Sequence, residues 1–184
     1  MKKQTDKEIQ IETSVPQAPD PDIVEIQQLA LQAEDDDISS DEKRDKILEK
    51  RNDKLIDLFF KALVEKGLSE KVSNKHADNV YLFINTFMLF REGYTMEEGD
   101  CCLNDFFGYF YVRKCLWSNP KNLKTTAVSI QKFYKCMADK GLIPLKTCEK
   151  ICNIIKKRLP DWEEECRLYN DHDENWDPWK YAPF

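Results

Sequence analysis

Two histidines, seven cysteines and a scatter of surface lysines are the residues from which this 184-residue chain could build chemistry. His76 falls on the apolar side of a helical pattern, with nothing near it in sequence to tune its pKa, so it reads as a core histidine and not a general base. His172 could join Cys148, Cys152 and Cys166 around a metal, because Cys148 and Cys152 stand one helical turn apart. Structural zinc sites more often use Cys-x-x-Cys pairs, which this chain lacks, and buried cysteine commonly serves as a small hydrophobe. No metal is therefore expected. Cys101-Cys102 opens a helix, where a thiolate gains some stabilisation, yet no histidine or lysine adjoins it as an activator. Glycine-rich phosphate loops, His-Glu-x-x-His and Gly-x-Ser-x-Gly are absent, so no enzyme, cofactor or small-molecule substrate is expected.

The lysines and hydroxyls suit a different chemistry, contact with phosphate. Helical spacing puts Lys71, Asn74, Lys75, Asp78 and Asn85 opposite Ala77, Val80, Phe83, Ile84, Phe87 and Met88. Farther on, Lys121, Lys124, Thr125, Val128, Lys132 and Lys135 lie opposite Leu123, Ala127, Ile130, Phe133, Tyr134 and Met137. The net charge of −6 would repel nucleic acid, but it is unevenly spread. Residues 1–40 carry 3 basic and 10 acidic side chains, residues 41–142 carry 18 and 15, and residues 143–184 carry 7 and 9. The acidity belongs to the ends, and the centre is mildly basic.

The elements that must position these residues are helical. Five glycines and a 34% charged fraction do not suit a barrel or sandwich. Residues 1–40 read as a disordered acidic tail, with the prolines of Val15-Pro16-Gln17-Ala18-Pro19-Asp20-Pro21 and the run Asp35-Asp36-Asp37. Within it, Ile23, Ile26, Leu29 and Ala30 allow a short amphipathic helix from Asp22 to Ala33; a frayed segment is preferred, since so short a helix is marginal alone. A first helix is predicted over 42–66, closed by Gly67, and a second over 70–91, capped by Ser69. The aromatic-rich stretch from Cys102 to Trp117 reads as a third, core-forming helix. Asn119-Pro120 starts a fourth over 120–140, ended by Gly141. A fifth over 145–158 and a short acidic helix to Tyr169 form an extension over 143–184. The end of the chain holds Trp176, Trp179, Tyr181 and Phe184, which either fold back over apolar surface or dock on another protein.

Gly67-Leu68-Ser69-Glu70-Lys71-Val72, followed by His76, Val80, Phe83 and Phe87, and the later run from Asn122 to Tyr134, resemble the N-terminal core-binding, SAM-like domain of tyrosine recombinases. The similarity spans about residues 50–142. Val72 stands where that family usually has Thr and His76 where it usually has Tyr. The resemblance implies an orthogonal four-helix bundle that clamps duplex DNA through its second and fourth helices. By position it implies contacts from Lys71, Asn74 and Lys75 on one helix and Lys121, Lys124, Thr125, Ser129 and Lys132 on the other. The family's catalytic domain has no counterpart here, since neither histidine is followed by Arg three residues on.

The expectation is a non-catalytic, all-α DNA-binding module whose partner is duplex DNA. The alternative is a protein-interaction module acting through its acidic and aromatic ends. Seven cysteines without a Cys-x-x-Cys pair suggest reduced thiols, and no apolar run reaches membrane-spanning length, so a cytoplasmic protein without a membrane partner is expected.

Overall fold

The computed structural model describes residues 20–35 and 41–171, and every element among them is helical. Helix α1 spans Pro21–Ala33 and α2 spans Asp41–Glu65. Helix α3 runs over 70–92, α4 over 99–114, α5 over Pro120–Asp139 and α6 over Leu145–Asn170. A 3-10 turn, Met96–Glu98, joins α3 to α4.

Local chemistry sets most of the boundaries. Gly67 and Gly141 adopt φ of 86° and 72°, a left-handed conformation that a Cβ would strain. The amide after each reaches back to a helical carbonyl: Leu68 donates to Leu63 at 3.1 Å and Leu142 to Met137 at 2.9 Å. At the start of α5, the Asn119 side chain accepts from the Asn122 amide at 2.9 Å, and Pro120 occupies the first turn. Ser69 holds the N-cap position of α3, but its hydroxyl makes no cap bond.

The bundle closes around one main core, with a small second cluster of Ala33, Leu48 and Leu89 where α1, α2 and α3 meet. Phe106 lies at its centre, with ring contacts to Phe83, Phe87, Phe107, Phe110 and Tyr111 at centroid separations of 4.8–5.9 Å. Helix α6 adds Ile151, Ile155 and Trp162 to that same core, with Trp162 stacked on Phe107, so the extension shares the interior of α2 to α5.

Several expectations change. The segment assigned to a disordered tail contains α1, which realises the amphipathic-helix alternative: Ile26 is fully buried against α2, and Lys61–Asp22 and Lys54–Glu25 ion pairs, both 2.7 Å, flank the contact. A partner helix supplies the stabilisation that an isolated one lacks. The extension is one continuous helix through Pro160. Proline deprives the Lys156 carbonyl of its partner, but Pro160 and Lys156 both face solvent, where water serves instead. Asn85, placed on the polar exterior, is fully buried. It lies in a π-helical stretch, Leu82–Leu89, whose wider turns rotate successive side chains out of the 3.6-residue register, so that residues 83–85 and 87–89 all face inward. Asn52 of α2 donates to Asn85 Oδ1 at 2.8 Å and so satisfies it.

In α4 the predicted aromatic core is real for Phe106, Phe107, Phe110 and Tyr111. Tyr109 and Trp117 are exposed instead, and the helix ends at Lys114, where Cys115 turns to an extended conformation.

Candidate nucleic-acid interface

Helices α3 and α5 pack side by side, which brings the two predicted groups of polar residues to one seam. Lys71, Asn74 and Lys75 on α3 and Lys121 and Lys124 on α5 are exposed. Thr125 and Lys132 are partly exposed. Glu70 and Asp78 also stand on the exposed side of α3.

Ser129 departs from its expected role. It is fully buried between the helices, its hydroxyl donating to the Thr125 carbonyl at 2.8 Å and accepting from Asn79 Nδ2 at 2.9 Å. A side chain so enclosed cannot reach DNA. The seam presses together residues at the edge of α5's polar arc, and Ser129 sits on the edge nearest α3.

A polar chain runs along this seam. Lys132 Nζ donates to His76 Nε2 at 3.1 Å; because an ammonium only donates, Nε2 is the unprotonated nitrogen. The ring hydrogen is therefore on Nδ1, which donates to Ser129 Oγ at 2.8 Å. Thr126 continues the chain, its hydroxyl lying 3.3 Å from Asn79 Oδ1 and 3.2 Å from the Tyr111 hydroxyl. Burial, followed by the charges of Lys132 and Lys75, pushes the His76 pKa below its usual value. His76 is a core residue, as its position on the helix implied. Its neighbours do tune it, and they come from a distant helix as well as its own. A buried serine between a neutral histidine and a backbone carbonyl has no access to substrate, so the pair reads as structural cement.

Asn79 and Thr126 were missed by the sequence reading, although Thr126 has a signal: it lies three residues after Leu123 and four before Ile130, on the apolar arc. Arg51 was missed as well. It is 4% exposed on α2 and grips the Glu97 carboxylate with both terminal nitrogens, one of them at 3.1 Å from Oε2. Burial pushes the Glu97 carboxyl up, but the Arg51 guanidinium outweighs it and holds the pKa below the usual value.

The cysteine set does not converge. Cys148 and Cys166 are eighteen positions apart on one helix, roughly 27 Å along its axis, too far to share an ion. Burial raises the pKa of both thiols. Among the described residues no group of three or more potential ligands could hold a metal, and His172 lies outside them. No helix of the described residues is long and apolar enough to cross a membrane.

The lysines of the seam fall with the larger group of described lysines that hold no carboxylate, which also includes Lys43, Lys114, Lys135, Lys140, Lys146, Lys156 and Lys157. Lys46, Lys50, Lys54, Lys61, Lys66 and Lys150 each pair with a carboxylate. Among the described residues, Lys71, Lys75, Lys121, Lys124 and Lys132 form no ion pair. No family model, curated protein or solved structure matches this chain.

Proposed function

We propose that this chain is a non-catalytic DNA-binding module that meets duplex DNA across α3 and α5, in the manner of the recombinase clamp its sequence resembles. In that reading the bundle of α2 to α5 is the orthogonal, SAM-like four-helix unit. The supporting observation is that two packed helices bring Lys71, Lys75, Lys121, Lys124 and Lys132 to one seam, none of them held in an ion pair among the described residues. Unpaired ammonium groups keep their charge available for phosphates, and each contact made releases condensed counterions. Asn74 and Thr125 complete the set as neutral donors to phosphate oxygens, and Ser129 is left out of it.

Fluorescence anisotropy with labelled duplex DNA tests this reading. Five phosphate contacts would give a log–log dependence of affinity on salt with a slope on the order of −4 to −5. Changing Lys71, Lys75, Lys124 and Lys132 together to Glu is expected to abolish binding at low salt. Absence of binding by the unaltered protein at low salt, or binding unaffected by the four changes, sinks the proposal. Any shortened form should begin after residue 19, because removing residues 1–40 would strip α1 from the core. In the protein-interaction alternative, the buried apolar face of α1 would not be the contact, since α2 already covers Ile26.

A further inference from the structure

The turn after α4 exposes an apolar surface that the rest of the bundle does not need. Leu116 is fully exposed and Trp117 is 56% exposed, at the tip of the connection between α4 and α5. Beside them, the Arg113 guanidinium lies over two rings, 5.6 Å from the centroid of Tyr109 on its own helix and 5.4 Å from that of Tyr169 on α6. Tryptophan, tyrosine and arginine grouped around an aliphatic side chain form the composition that carries most of the binding energy in protein contacts.

We propose that this surface is the docking site of the chain's own C-terminal segment, residues 172–184, which closes over Leu116 and Trp117. The exit point argues for that occupant. Asn170, the last residue of α6, donates its side-chain amide to the Ser118 carbonyl at 3.1 Å, so the chain leaves the helix one residue away from Trp117 in the facing loop. Length agrees as well: Trp176 follows Asp171 by five residues and Trp179 by eight, reaches of about 17 and 27 Å when extended. The segment brings Trp176, Trp179, Tyr181 and Phe184, rings that suit an aromatic and aliphatic surface. Charge is complementary too. Residues 106–119 include Arg113 and Lys114 and no acid, while Asp173, Glu174 and Asp177 lie in the segment. Glu164 and Asp171 are paired with Arg167, and Glu165 is the acid of α6 that lies against α4, beside Gly108.

The test uses full-length protein with 13C-labelled leucine methyls. Leu116 methyls are expected to show nuclear Overhauser effects to the indole protons of Trp176 or Trp179, unchanged by tenfold dilution. Those effects should vanish in the W176A/W179A double variant. They should also vanish in L116S, a change at a fully exposed position that leaves the core untouched, in which the displaced indole resonances move toward free tryptophan. Leu116 methyls without such effects in the full chain overturn the proposal. So do effects that weaken on dilution or cross between differently labelled molecules, since those assign the surface to a second copy.

Discussion

His76 can be protonated only at the expense of its neighbours. A second proton would fall on Nε2, which accepts from Lys132, and would set an imidazolium against Lys132 and Lys75. The folded pKa is therefore below the unfolded value of 6.5, and the unfolded chain binds more protons just beneath that pH. The sign follows: the stabilisation is complete above pH 6.5 and is lost as pH falls from there through the lowered folded value. Urea midpoints should drop between pH 7 and pH 5, and His76→Gln, which cannot titrate, should flatten that part of the drop. Arg51 gives the second expectation at this scale. Glu97→Gln would leave a buried guanidinium without its counter-charge; because Glu97 is itself partly exposed, a cost of about 1–3 kcal/mol is expected from denaturation curves.

At the scale of elements, the start of α4 depends on a close approach that composition does not reveal. A Cβ on Gly99 would lie 2.0 Å from the Tyr134 hydroxyl, which is fixed in the core by its bond to the Met96 carbonyl at 2.8 Å. Gly99→Ala should therefore cost about 1–3 kcal/mol through overpacking, measured as a shift in denaturation midpoint. Tyr134→Phe in that background should recover part of the loss, because it removes the atom that clashes. Gly99 falls between the second and third helices predicted from sequence, where a glycine calls for no special explanation. The glycines at the ends of α2 and α5 were legible because helix termination is local, whereas the demand on Gly99 comes from α5, thirty-five residues away. The π-helical stretch in α3 was illegible for a related reason: residues 82–89 are apolar on nearly every side, so a 3.6-residue period fits them as well as a wider one.

For the whole molecule, the main consequence is that α1 belongs to the cooperative unit. Ile26 is fully buried in the same core as Leu55, Phe59 and Phe106. Ile26→Ala should accordingly cost about 2–4 kcal/mol and move a single transition, observed alike by circular dichroism and by tryptophan fluorescence. A separate early transition confined to helix content would show that α1 unfolds by itself. The chain's charge is organised on the same scale. Asp22 and Glu25 of the acidic end are spent on Lys61 and Lys54, whereas the lysines along α3 and α5 remain uncompensated.

By itself the sequence determined the helical class, most of the main helix boundaries and most of the core, because caps, left-handed glycines and apolar periodicity act over a few residues. Phe83, Phe106, Ile130 and Phe133 were all readable in this way. It also placed Lys71, Lys75, Lys121 and Lys124 outside the core. Only the tertiary structure decided the residues that live between elements. Ser129 left the candidate interface because α3 covers it, Cys148 and Cys166 parted because one helix holds them both, and Trp117 reached the surface because α4 stops at Lys114. Local signals set which face of a helix is apolar; which polar residues at its margin are enclosed depends on the neighbour that packs there, and a single helical pattern carries no record of that neighbour.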